Sequence, residues 1–263
     1  MRSSIFWSKG VMGLKKMLVF PVGSTDACRY AAAFLEKAGV ELVDHPCPEV
    51  THLLLDVPSF GPAGTLRGGG SLGSILEMLP PDVTVAGGNL VHPALKGYPT
   101  LDLLQDLQYL AVNAAITADC ALQVAAPRMT ATFADSPALI IGWGRIGKCL
   151  GQLLKAIGTD VTIAARKEAD RAMISALGYQ AVDIPEIPAV LPRCALVFNT
   201  APEMVLHKEL SDTCRNCVKI DLASNPGIEG EDVVWARGLP GMYAPESSGR
   251  LIAETFLRLS KEE

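Results

Sequence analysis

The chain is poor in charge, in aromatic side chains and in histidine. Charged residues make up 19% and aromatics 6% of its 263 positions, and four residues are histidine. With 23 Lys and Arg against 28 Asp and Glu, the net charge is −5, so there is no basic field to gather a phosphate backbone. Trp7, Trp143 and Trp235 are too dispersed to make a base-stacking platform, and nucleic acid is not expected as a partner. Long apolar runs are missing as well. Pieces such as Leu53-Leu54-Leu55 and Ala138 to Ile141 are strand-length, so no membrane-spanning segment is expected. The seven cysteines are an odd, scattered set, which reads as reduced thiols in a cytoplasmic protein rather than a disulfide framework. Cys214 and Cys217 form the one close pair; with no second pair and only His207 nearby, they read as two thiols at a helix-to-strand turn, and no metal site is expected.

What is present suits a globular protein. Apolar residues reach 49%, enough for a sizeable core, and the length favours two domains. Residues 1–16 carry basic residues around Ile5, Phe6 and Trp7 without a continuous apolar core, which does not fit a secretory signal. They are expected to be an N-terminal extension with no role in the fold, Met17 serving equally well as a start. From Met17 the pattern alternates: a strand at Leu18–Phe20, cap chemistry at Gly23–Asp26, a helix over 27–38, strands over 40–43, 51–57 and 83–86, and a short helix over 71–79. Gly68-Gly69-Gly70 reads as a mobile surface loop, because neither a feeding strand nor a P-loop lysine accompanies it. The alanine-rich stretch 101–126 is the crossover, with Thr117 expected to cap a helix over 118–126 that Pro127 stops. Strands then fall at 138–141, 160–164, 180–182, 195–199 and 218–222, with a last strand or loop near 241–244 and a closing amphipathic helix over 247–260.

The fold class expected is α/β, with two doubly wound parallel-sheet domains. A flavodoxin-like domain spans 17–115 and a Rossmann NAD(P)-binding domain spans 116–245, while a helix over 246–263 packs back toward the first domain. The Rossmann assignment rests on Gly142-Trp143-Gly144-Arg145-Ile146-Gly147, which follows a buried strand and opens a helix. Gly142 permits a tight turn, Gly144 lets the backbone approach a pyrophosphate at the helix N-terminus, and Gly147 allows close packing of helix on sheet. About twenty residues on, where an NAD-binding protein places an acid for the ribose hydroxyls, stand Ala165, Arg166 and Lys167. Without that carboxylate, and with a guanidinium beside it, NADP(H) is favoured over NAD(H). Asn199, Thr200, Ala201 and Pro202, and then Asp221, Leu222 and Ala223, fall at the ends of later strands and complete the expected cofactor residues.

The series GWGRIG (142–147), AARK (164–167), NTAP (199–202), DLASNPG (221–227) and GLPGMYAPESSG (238–249) resembles the A subunit of dipicolinate synthase. Asp26 and Arg29 lie near that family's opening glycine-rich turn, and Asn113, Thr117 and Asp119 resemble its crossover. The resemblance implies a nicotinamide cofactor on the second domain, action on dihydrodipicolinate or a related small carboxylated substrate held in a cleft between domains, a flavoprotein partner subunit, and a place in spore-forming bacteria. The chain departs from the family pattern at Ile116, Asp119 and Glu246, where proline, glutamate and lysine are expected. Ser59, Asn113, Thr117, Asp119, Asn199 and Ser247 are the substrate candidates, and a homo-oligomer is expected. No catalytic residue is assigned.

Two other readings stand beside an oxidoreductase. A non-catalytic dinucleotide-binding or regulatory protein that needs a partner fits the lack of an evident acid or base. A 2-hydroxy-acid dehydrogenase relative fits the fingerprint, but that chemistry needs a histidine after the last strand, and His45, His52, His92 and His207 all lie elsewhere.

Overall fold

The computed structural model describes residues 17–61 and 63–261, so the extension expected over 1–16 lies outside the described residues. The chain divides into two compact units, one of residues up to Tyr109 together with those from Glu246, the other Leu110–Pro245. The division falls ahead of the boundary expected after residue 115, inside a helix.

The first unit is a parallel sheet of β1 (Leu18–Pro21), β2 (Glu41–Leu42), β3 (His52–Leu54), β4 (Thr84–Gly87) and β5 (Thr100–Asp102), in the order β2-β1-β3-β4-β5. That order is the flavodoxin-like one, in which ligands approach the carboxyl ends of the strands. Thr25 starts α1 (Asp26–Lys37) by accepting a bond from Cys28 N–H, and Ala27, Ala31 and Leu35 give the helix its buried stripe. Ser71 does the same for α2 (Leu72–Leu76) through Ser74 N–H. Phe20, Leu53, Leu55, Leu72, Leu76 and Val85 are among the core residues. β5 is not among the expected strands. Its one buried residue, Leu101, lies between exposed Thr100 and half-buried Asp102, so pairing with β4 rather than sequence pattern defines it.

The crossover differs from its sequence reading. It is one helix, α3 (Leu107–Ala125), started by Asp106, whose carboxylate accepts from Tyr109 N–H at 2.6 Å. Thr117 is therefore no cap: it lies mid-helix and donates its hydroxyl to Asn113 O at 2.7 Å. Strong helix formers carry the helix through without a break. Residues 107–128 are long and apolar enough to cross a membrane by length and composition, against the reading that all apolar runs are strand-length. Ala118, Cys120, Ala121, Val124 and Ala125 of this helix are packed into the core of the second unit.

The second unit holds β6 (Ala138–Ile141), β7 (Val161–Ala164), β8 (Gln180–Val182), β9 (Leu196–Asn199), β10 (Val218–Asp221) and β11 (Val233–Trp235), all parallel, in the order β11-β10-β9-β6-β7-β8. Renumbered within the unit, this is the 3-2-1-4-5-6 order of a dinucleotide-binding sheet. Its helices are α4 (Arg145–Ala156), α5 (Glu168–Ala176), α6 (Ile187–Val190), α7 (Lys208–Ser211) and α8 (Leu239–Tyr243). The strands are apolar on both faces: Ala138, Ile140, Leu196 and Phe198 join one core, while Leu139, Ile141 and Val197 join the other. Two elements depart from expectation. β11 has no counterpart among the expected strands, and the segment expected as strand or loop near 241–244 is largely helix, since Pro240 is tolerated in the first turn of α8. The closing helix α9 (Pro245–Leu259) buries Leu251, Ile252, Thr255 and Phe256, and Arg258 on it pairs with Asp106 at 2.6 Å.

Candidate functional site

Strand register places the glycine turn. Ile141, the last residue of β6, pairs with Ala164 of β7 on one side and Asn199 of β9 on the other. The turn 142–147 therefore leaves the sheet between the loop after β7 and the loop after β9. Each glycine answers a separate demand. Gly142 has φ +103°, and a Cβ there would lie 2.5 Å from Thr200 Oγ1. At Gly147 a Cβ would lie 2.2 Å from Gly142 O, so helix and turn touch backbone to backbone. Gly144 differs, because a Cβ there meets nothing within 4 Å. It is the N-cap of α4 and has no side chain to bond the first-turn N–H groups. An open backbone at a helix N-terminus can hold a pyrophosphate. Trp143 packs edge-on against Tyr179 with ring centroids 6.0 Å apart, Ile146 joins the core, and Arg145 is exposed.

Beyond β7, Ala165 is buried and Arg166 and Lys167 are exposed. Arg166 forms a two-point ion pair with Glu203, at 2.7 and 3.1 Å. The carbonyls of Ala165 and Arg166 accept from Arg171 Nη1 at 2.8 and 2.6 Å, and Arg171 also pairs with Asp183. Sequence reasoning singles out neither Glu203 nor Arg171. Their partners lie 37 and 5 to 6 residues away, and no motif marks them.

The two strand-end segments expected on the cofactor have a different immediate job. Asn199 and Asp221 are fully buried and bonded to each other, Asn199 Nδ2 donating to Asp221 Oδ1 at 2.9 Å. Asn199 also bonds both backbone groups of Ala201. Asp221 accepts from the N–H groups of Ala223, Gly227 and Ile228. These side chains shape the loops that follow β9 and β10. Thr200 donates its hydroxyl to Ile141 O, Pro202 is exposed, Leu222 is buried, and Ala223 O accepts from Trp235 Nε1.

The substrate candidates are divided between the units, Ser59 and Ser247 in the first and Asn113, Thr117, Asp119 and Asn199 in the second. Ser59, buried in the first unit, donates to Asp56 O and accepts from Gly88 N–H, so its one hydroxyl proton is already used. Asn113 and Thr117 are four apart on α3 and share a face, while Asp119 is exposed, off that face, and bonded to Gln123. Ser247 is exposed near the start of α9, and Glu246 beside it pairs with Arg250 at 3.5 Å.

The first unit has its own organised turn at the ends of β1 and β3. Buried Asp56 accepts from the N–H and hydroxyl groups of both Ser24 and Thr25, fixing the start of α1. Burial, aided by the Asp56 charge, pushes the Cys28 thiol up to about 12, which leaves it inert. Gly68 and Gly69 border a small pocket with Asp56, Ser59 and Arg67. Cys214 ends a short 3₁₀ turn and Cys217 precedes β10. Contact with the Cys217 thiol lowers the Cys214 thiol, and the same contact raises Cys217. Among the described residues, no group of three His, Cys, Asp or Glu is placed to hold a metal.

Sheet order and glycine turn together define a class, the two-unit α/β proteins of the Rossmann-like dehydrogenase fold. No family model matches the chain. The A subunit of dipicolinate synthase from Bacillus subtilis (strain 168) is 28% identical over 159 residues, 57% of this chain and 54% of that relative. The match thus spans about half the length of that curated relative. Two crystal structures share the fold. The dipicolinate synthase A subunit from Bacillus halodurans has a TM-score of 0.76 at 21% identity, covering 93% of this chain and 98% of that one. Its counterpart from Bacillus subtilis has a TM-score of 0.78 at 19% identity, covering 95% and 97%. The chain is thus similar in sequence to the A subunit of dipicolinate synthase over part of its length, and shares its fold.

Proposed function

We propose that this protein binds a nicotinamide dinucleotide on its second unit and acts as a cytoplasmic oxidoreductase on a small carboxylated substrate, dihydrodipicolinate or a close relative. The observation that carries the reading is Gly144, an open backbone position at the N-terminus of α4, between two strand-end loops. The ring of the bound nicotinamide supplies the hydride chemistry. The chain's own residues do the holding: the 142–147 turn takes the pyrophosphate, and the 199–202 and 221–223 loops, set by Asn199 and Asp221, line the nicotinamide half. Arg166 and Lys167 favour NADP(H) over NAD(H). Assembly with a second subunit of flavoprotein type in a sporulating bacterium, suggested by the resemblance to the dipicolinate synthase A subunit, belongs to the same proposal, as does self-association.

A second reading, dinucleotide binding without turnover, is favoured by one observation: Asn199 and Asp221 are buried and internally bonded, so neither is presented as an acid or base. Following NADPH absorbance with dihydrodipicolinate and dipicolinate, with and without the partner protein, separates the two. Substrate-dependent nucleotide turnover supports the enzyme; tight nucleotide binding with no turnover in either condition overturns it in favour of the binding role.

A further inference from the structure

Arg166, the residue that reads as a phosphate ligand, already has an anionic partner. Its Nη1 and Nη2 donate to Glu203 Oε2 and Oε1 at 2.7 and 3.1 Å, a two-point fork between the loop after β7 and the loop after β9. These strands flank β6, because Ile141 is registered against both Ala164 and Asn199. The fork therefore joins the two loops on either side of the glycine turn. In dinucleotide-binding sheets the acid that bonds the ribose hydroxyls ends the second strand, and here that end carries Ala165. The carboxylate that the fold brings to this place comes from a different strand.

We infer that Glu203 moderates nucleotide choice at this site, accepting from the ribose hydroxyls in place of the acid that β7 lacks and competing with a 2′-phosphate for Arg166. The inference rests on the proposed nucleotide site. A carboxylate and a phosphate are alternative bidentate partners for one guanidinium, so a 2′-phosphate that engages Arg166 must open the fork. Once open, the carboxylate and the phosphate repel each other across a short distance. NADH carries no such phosphate and leaves the fork closed. Both side chains are largely exposed, 70% and 59%, so the pair is easily parted and moderates the choice without blocking NADPH. Lys167 is exposed with no ion-pair partner among the described residues, and remains available to the phosphate in either state.

The test is a titration of the full-length protein with NADPH and NADH, for wild type, Glu203→Gln, Glu203→Ala, Arg166→Ala and the Arg166→Ala/Glu203→Gln double variant. Glu203→Gln removes the charge and keeps an acceptor; it should tighten NADPH by about three- to tenfold and change NADH by less than about twofold. Glu203→Ala should tighten NADPH similarly and weaken NADH, having lost the acceptor. In the Arg166→Ala background Glu203→Gln should tighten NADPH by less than it does in the wild type, because competition for the guanidinium is gone and only the repulsion between carboxylate and phosphate is relieved. An NADPH-to-NADH ratio unmoved by either Glu203 variant overturns this inference alone. Wild-type protein that binds neither nucleotide overturns it together with the proposed function. Both substituted side chains are exposed, and an unchanged melting temperature confirms that the variants are folded.

Discussion

Asn199 and Asp221, both fully buried, bond each other and hold the loops that follow β9 and β10. Their places at strand ends are readable from the apolar runs that precede them. What they bond is not, since the pair lies 22 residues apart and only the folded loop brings Gly227 and Ile228 back to Asp221. Asn199→Ala should therefore act first on stability. It leaves a buried carboxylate without its amide donor and frees both backbone groups of Ala201, at a cost of about 1–3 kcal/mol in urea unfolding. Nucleotide affinity should fall as the 199–202 loop loosens; a variant of wild-type stability would show that the network carries little. His52 gives a pH dependence of known sign. Burial holds its ring below the ordinary value of 6.5, so the unfolded chain takes up the proton first. The folded state should keep this contribution above pH 6.5 and lose it as pH falls below that value. His52→Gln should flatten the unfolding free energy across that window, and an unchanged slope would count against the assignment.

At the scale of elements, strands that sit between two apolar layers are readable because both faces are buried, as β6, β7 and β9 illustrate. Edge strands divide: β2 and β8 fall on expected strands, whereas β5 and β11 do not. β5 has one buried residue and β11 none, so tertiary pairing alone marks them. The start of α3 escapes for a different reason: a run of good helix formers hides where the helix begins, and its cap, Asp106, stands among several acids of equal appearance. β10 carries a further test. Lys219 is 1% exposed and pairs at 2.7 Å with Asp232, which is 46% exposed. The two partners are not equivalent. Asp232→Ala leaves a buried ammonium unpaired and should cost about 3 kcal/mol or more, while Lys219→Met fills the same space with an apolar chain and should be nearly neutral. Equal losses in thermal unfolding would contradict that asymmetry.

For the molecule as a whole, length, the alternation of strand and helix patterns and the glycine fingerprint are enough to place two parallel α/β units and to locate the turn between β6 and α4. The side chains around that turn are legible only in part: Arg166 is visible as a basic residue, whereas the carboxylate that occupies it needs the fold to bring two loops together. A nucleotide that binds only the folded protein must also stabilise it, by about 2.7 kcal/mol at a hundredfold excess over Kd, so melting temperature should rise with NADPH concentration. The most direct measurement is that titration repeated on Gly144→Val. A Cβ at this position meets no neighbour within 4 Å, and the backbone there is extended with negative φ, so the variant should keep the fold. It would nevertheless stand where the pyrophosphate must approach the backbone. Binding of NADPH by the wild type, weakened at least about tenfold in Gly144→Val with no change in the nucleotide-free melting temperature, is the expected result. Equal affinity in the two proteins, or no binding by the wild type, would contradict a dinucleotide site at this turn.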